Sequence, residues 1–281
     1  MTRYLIYATS SEFAAAVGVD GLMAGAALLE VKRTARGRAG FIEIGGQRCF
    51  LKEASEGSYV KGLIARLRGS RARRILRGAS MLAAAGFAHP RSLAAVEERR
   101  YGSVRSSWIA SEALPDARVM SFFILGDGRN FRRRHWLSRL IAREVRRLHD
   151  AGLYTLDMQE TNLMLEASGA ELRIYFVDLE DFRRTRNVRR KTRMLNLVHL
   201  DRSIGRFASR GQRLRFLYNY LGGKPSQSEV REWVKGLATI KLRRDRRKLS
   251  DSGQLAIGRV HPEPVNPMRA ATGKQRWRSR Y

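Results

Sequence analysis

A chain of 281 residues, 43% of them hydrophobic, is long enough to bury one large or two small cores, which excludes global disorder. Its 55 Lys and Arg against 26 Asp and Glu leave a formal charge of +29, spread along the chain. Such a field attracts polyanions: nucleic acid, an anionic membrane surface or a phosphorylated substrate. The single cysteine, Cys49, excludes an internal disulfide framework and a multi-cysteine zinc site.

In chain order, "MTRYLIYATSSEF" has too short an apolar run for a secretory signal. "FAAAVGVDGLMAGAALLEV" is Ala- and Gly-rich with Asp20 at its centre, a poor membrane span. The expected location is therefore cytoplasmic, soluble or peripheral to a membrane. "KRTARGRAG" reads as a flexible basic turn, lying over phosphates or simply a solvated loop. "FIEIGGQRCFLK" places two strands around Gly45-Gly46, a hairpin, and strand alternation puts Arg48, Phe50 and Lys52 on one face with Cys49 and Leu51 on the other.

"SRARRILRGASMLAAA" has helical spacing, a basic face and a stop at Gly86, with Pro90 beyond. "YGSVRSSWIASEALPDA" predicts a strand ending at a turn near Pro115. Strands dominate before residue 112 and helices after it, which divides the chain into 1–112, 113–250 and a tail at 251–281 without periodicity and expected to be disordered. "HWLSRLIAREVRRLHDAG" is a helix with Trp136, Leu140, Ile141, Val145 and Leu148 as its core stripe, capped by Gly152; His149 is structural rather than a base. "RRTRNVRRKTRMLNLVHLDRSIG" and "RLRFLYNYLGG" are basic helices.

Between the two helical regions lies the chemistry. In "TLDMQETNLML", four residues separate Asp157 from Asn162, and Asp178 closes the apolar strand "IYFV". A carboxylate buried at such a strand end is costly unless a cation offsets it. Asp178 and Asn162 are oxygen donors of the kind a hard Mg²⁺ takes, with phosphates and water completing its octahedron. Asp157 is then left for other work.

This order, with a strand Lys upstream, resembles the protein-kinase-like phosphotransferase site. More narrowly, "LHDAGLYTLDMQETNLML" and "FVDLEDFRR" resemble the bacterial lipopolysaccharide core kinases, the Kdo and heptose kinases; "FLKEA", "LAAAGFAHPRSLA", "SEAL" and the basic "RMLNLVHLDRSI" extend the likeness over roughly residues 25 to 225. The resemblance implies an α+β, bilobal protein-kinase-like fold with a small β-rich N-lobe and a helical C-lobe. It implies ATP and Mg²⁺ as cofactors: Lys52 on the α/β-phosphates, the backbone around Glu112 against the adenine, Asn162 and Asp178 on the metal, and Asp157 orienting the acceptor hydroxyl and taking its proton. The implied acceptor is a sugar hydroxyl of the lipopolysaccharide inner core or another anionic glycolipid.

Three departures qualify the likeness. Thr155 and Leu156 stand where kinases carry His-Arg before the catalytic Asp, and Asp178-Leu179-Glu180 replaces Asp-Phe-Gly, which argues against a protein substrate. The helix that would offer Lys52 an acid has Arg74 and Ile75 there, leaving Glu53, Glu56 and Glu97 as candidate partners. The alternative is a pseudokinase or basic binding module; retention of Lys52, Asp157, Asn162 and Asp178 together favours the enzyme. Of the polyanions, nucleic acid fits least, because the basic segments interleave few aromatic stacking platforms; the cations at Arg183 to Arg193 and Lys241 to Lys248 are expected to meet the anionic inner leaflet.

Overall fold

The computed structural model describes residues 2–8, 28–35, 37–44, 46–126, 131–168 and 171–252. The apolar stretch beginning at Phe13 is almost wholly outside these residues, as is the tail beyond Ser252. Two compact units result. The first takes the chain up to Arg74 with Arg91–Ala113, and the second takes Ile75–Pro90 and the chain from Leu114.

The first unit is an antiparallel six-stranded sheet of β1 (Thr2–Ala8), β2 (Leu29–Thr34), β3 (Gly37–Ile44), β4 (Gln47–Ser55), β5 (Ser92–Arg100) and β6 (Ser103–Glu112), in the order β1-β5-β6-β4-β3-β2. The expected hairpin is present: Ile44 pairs with Gln47, and Gly46 has φ +75°. Alternation also holds, since Cys49 and Leu51 join Val96, Trp108 and Ala110 in one apolar cluster while Lys52 lies on the other face. Burial pushes the Cys49 thiol up to about 11, so it is packing material and not a nucleophile.

The basic stretch "KRTARGRAG" is mostly strand, with its turn at Ala35. It folds into the β2–β3 hairpin, where Arg33 pairs with Glu30 at 2.6 Å and Arg38 with Glu53 at 2.6 Å. Two helices follow β4, α1 (Tyr59–Arg68) and α2 (Arg71–Ala84), and the division between units passes through α2.

The second unit contains β7 (Arg118–Val119), α3 (Met120–Gly126), α4 (Phe131–Asp150), β8 (Leu153–Thr155), the hairpin of β9 (Leu163–Ser168) and β10 (Glu171–Phe176), β11 (Phe182–Arg184), α5 (Arg190–Ile204), α6 (Arg210–Leu221) and α7 (Gln227–Ser252). The predicted α4 stripe is displaced by one residue at its start. Leu137, Ile141, Val145 and Leu148 are buried, whereas Trp136 is 37% exposed. One residue is about 100° around a helix, and a stripe centred on Leu137 leaves Trp136 at its edge.

A buried polar network joins α4, α5 and α6 beneath β8. His149 Nδ1 meets Tyr220 Oη at 2.8 Å and its Nε2 meets Asn196 Oδ1 at 3.1 Å. Asn196 Nδ2 donates to the Thr155 carbonyl at 2.7 Å, and the Thr155 amide donates to Asn196 Oδ1 at 3.4 Å. Arg193 closes the edge on Asp150 at 2.6 Å. His149 is thus structural.

Burial pushes the His149 pKa down to about 4, against about 6.5 in an unfolded chain. Between those values the unfolded state binds the extra proton, so this contribution to stability is complete above about pH 6.5 and is lost as pH falls toward 4. The full loss is on the order of 3 kcal/mol. Thermal melts from pH 7.5 to 4.5 should show it, and His149→Gln should lower Tm at pH 7.5 but flatten the acid limb; an unchanged acid limb would remove His149 from the account.

Candidate active site

The segment carrying Asp157 has almost no secondary structure of its own and is shaped from beneath by α5. Asn196, His199 and Ser203 are spaced three and four residues apart, so they share one helical face. Asn196 holds both main-chain groups of Thr155. His199 lies beside Leu156 and Asp157 and is kept below its ordinary pKa by burial and by Arg244, with the Asp157 carboxylate opposing. Ser203 Oγ accepts the Glu160 amide at 3.0 Å.

On this support Asp157 is fixed by short local bonds. Its amide donates to Thr155 Oγ1 at 3.2 Å. Gln159 Nε2 donates to its Oδ1, and Asn162 Nδ2 donates to the Asp157 carbonyl at 3.0 Å and to Oδ2 at 3.4 Å. The carboxylate therefore keeps one orientation. With its amide nitrogen turned toward Asp157, Asn162 has its Oδ1 left to accept a cation.

Asp178 is brought to the same place through the main chain. Val177 donates to the Asn162 carbonyl at 3.1 Å, and Phe176 donates to Ala88 O at 3.0 Å, so the end of β10 is tied on both sides. Asp178 then precedes a short 3-10 turn at Leu179–Asp181. The α2 helix lies directly on that turn, because a Cβ at Gly78 would stand 2.0 Å from the Leu179 carbonyl oxygen. Any larger residue at Gly78 pushes the turn that follows Asp178.

The donor chemistry fits a hard ion. Asn162 and Asp178 offer oxygen alone, and no cluster of three or more His, Cys, Asp or Glu forms among the described residues. Such a pair suits Mg²⁺, which draws the rest of its shell from phosphate and water, and not a zinc-type centre.

Lys52 and Glu112 belong to the first unit. Lys52 pairs with Ile109 and Cys49 with Glu112, so both are on neighbouring strands, and the Glu112 amide donates to Arg91 O at 2.8 Å. Of the acids proposed as Lys52 partners, Glu53 alternates to the opposite face and holds Arg38 at 2.6 Å. Glu97 is fully buried on the Lys52 face, where it takes Arg99 at 2.7 Å and the Ser70 hydroxyl. Ile75 is buried and Arg74 donates to Gly69 O at 3.1 Å.

Gln159, Asn196 and Ser203 were not singled out from sequence. Gln159 could have been found from its position two residues beyond Asp157, and Asn196 and Ser203 from their helical spacing in a segment already read as a helix.

Residues 32–220 match the Lipopolysaccharide kinase (Kdo/WaaP) family. A solved structure described as WaaP in complex with acyl carrier protein superposes with a TM-score of 0.63 at 21% identity, covering 86% of this chain and 98% of that one. No curated protein matches the sequence. The superposition carries the fold, a sheet-rich N-terminal region followed by a helical part. The family match carries the activity class: the chain belongs to the lipopolysaccharide kinase (Kdo/WaaP) family, phosphotransferases acting on a sugar hydroxyl.

Proposed function

We propose that this protein transfers phosphate from ATP, with Mg²⁺, to a hydroxyl of a Kdo or heptose in the lipopolysaccharide inner core, at the cytoplasmic face of the inner membrane. The observation that carries the reading is the Asp157 carboxylate held beside Asn162, with Val177, the residue before Asp178, donating to the Asn162 carbonyl. Asp157 orients the acceptor hydroxyl and takes its proton; Asn162 and Asp178 hold the ion; Lys52 receives the nucleotide phosphates and the backbone at Glu112 the adenine. Bound Mg²⁺ supplies charge neutralisation on the phosphates. The chain's own part is placement: a carboxylate that cannot rotate holds its hydroxyl in line without reorganisation.

The pseudokinase alternative rests on the missing His-Arg pair and on the helix that offers Lys52 no acid. Thr155 answers part of that loss, since its hydroxyl caps the Asp157 amide and Asn196 grips its main chain. A further partner is supported by a cavity of about 530 Å³ among the helices of the second unit, where Leu197, Phe216 and Leu217 face Arg134, while Arg213 and Lys241 in the same lining are held by Asp201. Arg134 Nε is buried there without a hydrogen-bond partner among the described residues. An acyl chain with an anionic head at Arg134 fits that lining, and acyl carrier protein, the partner named for WaaP, is one source when it carries such a chain.

With ATP, Tm should rise only when Mg²⁺ or Mn²⁺ is present, and Asp178→Ala should abolish the rise; a metal-independent shift would remove Asp178 and Asn162 from the metal. Asp157→Asn should leave nucleotide affinity intact and cut turnover on core glycolipid by roughly 10²-fold or more; retained kcat would exclude Asp157 from the acceptor side. Ala238→Trp, which fills the cavity, should weaken binding of an acylated carrier protein by about tenfold in calorimetry, and equal affinity would leave the cavity without that ligand.

A further inference from the structure

Helix α1 faces the wrong way for its apolar residues. It buries Gly62 and Ala65 against β6, where a Cβ at Gly62 would stand 2.1 Å from Ser103 Oγ and 2.2 Å from the Val104 carbonyl oxygen. The opposite side carries Val60, Ile64 and Leu67, four and three residues apart and thus one stripe, exposed by 65%, 44% and 87%. Single exposed apolar residues are ordinary, but a contiguous stripe marks an interaction surface.

The charge on the helix itself has one sign. Lys61 and Arg68 flank the stripe and are exposed, and no acid occurs between Glu56 and Glu97. The β5–β6 turn is fastened alongside: Tyr59 Oη donates to the Tyr101 carbonyl at 3.2 Å and Arg66 to that of Gly102 at 3.2 Å. That fastening leaves Tyr101 67% exposed beside the helix. A cavity of about 350 Å³ opens there, lined in part by Arg100 and Arg105.

We infer that α1 and the β5–β6 turn form a lipid-docking face, which lays Val60, Ile64 and Leu67 into the interface of an anionic bilayer while Lys61, Arg68, Arg100 and Arg105 meet its phosphates. Amphipathic helices with apolar and cationic faces bind in this manner, and a tyrosine beside them suits headgroup depth. A protein partner would have to bring both an apolar groove and a continuous acidic surround; a layer of anionic headgroups supplies both at once. The inference rests on the reading that the acceptor is held in a membrane. In the helical unit Arg190, Arg193, Arg202 and Lys241 are held by carboxylates at 2.6–2.9 Å, whereas Arg184, Arg186, Arg189 and Arg243 are exposed and can add to the attachment.

The test uses the full chain and vesicles of phosphatidylcholine with or without phosphatidylglycerol. Binding should need the anionic lipid, and Ile64→Glu combined with Leu67→Glu should lower it by about tenfold or more at unchanged Tm. Leu67→Trp should add an emission component that shifts blue and is quenched by brominated acyl chains. Unaltered binding of the double variant, or sedimentation with vesicles without any change in the added emission, would overturn the proposal and place attachment elsewhere. A stripe that instead buries itself in a second copy, seen as a dimer lost in the double variant, would overturn it too. Turnover on a water-soluble, deacylated acceptor separates the two readings. Transfer without insertion rejects the docking face alone, and insertion without transfer to any acceptor rejects the kinase reading while the docking face stands.

Discussion

The side-chain amide of Asn196, closed over both main-chain groups of Thr155, is the interaction on which the site depends. The segment from Leu156 to Gln159 lies outside helix and strand, so its shape must come from a neighbour. An amide suits the task because it offers a donor and an acceptor together, matching the two groups a peptide unit leaves unpaired. Asn196 is 2% exposed, and so the bonds form where water cannot compete and where leaving either group unmade would be costly. His149 and Tyr220 fix the amide from behind, which extends the constraint to α4 and α6.

The spacing of the candidate site was legible because it is local. Asp157 and Asn162 are joined by a single turn, and the chemistry of their side chains can be read from residue type; Asp178 was legible as an acid ending an apolar strand. What organises them was not, since Asn196 and Ser203 act from far along the chain and look like any polar residues of a helix. Helix α1, not read from the sequence at all, shows why spacing alone would mislead. Apolar periodicity would place Val60, Ile64 and Leu67 inward, but helix and strand come together where a side chain is missing, at Gly62. Small residues pack backbones closely, and a rule that seeks large apolar residues looks at the opposite face. In α4 the error was smaller: Trp136 is exposed and Leu140 half-buried, while Ile141, Val145 and Leu148 hold the stripe.

The charge of +29 divides into two kinds of arginine. Some are structural: Arg147 lies 3.8 Å from the Phe87 ring centroid and also takes Glu144, Arg190 stacks on Trp233, and Arg213 and Lys241 converge on Asp201. With few acids to share, one carboxylate such as Asp150 or Asp201 serves two cations, and arginine turns to aromatic faces and carbonyls instead. Net charge therefore overstates the surface available to a polyanion. The cations that count are those near apolar surface and far from acids.

Phosphoryl transfer asks little covalent chemistry of a protein and much placement. That explains how a loop without the His-Arg pair can retain the geometry of Asp157. The missing histidine would have fixed the loop from within; here Thr155 caps the Asp157 amide, Gln159 and Asn162 hold its oxygens, and α5 carries the load from below. The same logic reaches Asp178 through Gly78, where the absence of one methyl group lets α2 rest on the Leu179 carbonyl and set the turn beyond the acid. Such a site gains order from packing that already exists in the folded state rather than from a segment that must be modified or rearranged, which suits an enzyme whose demand is a fixed acceptor geometry.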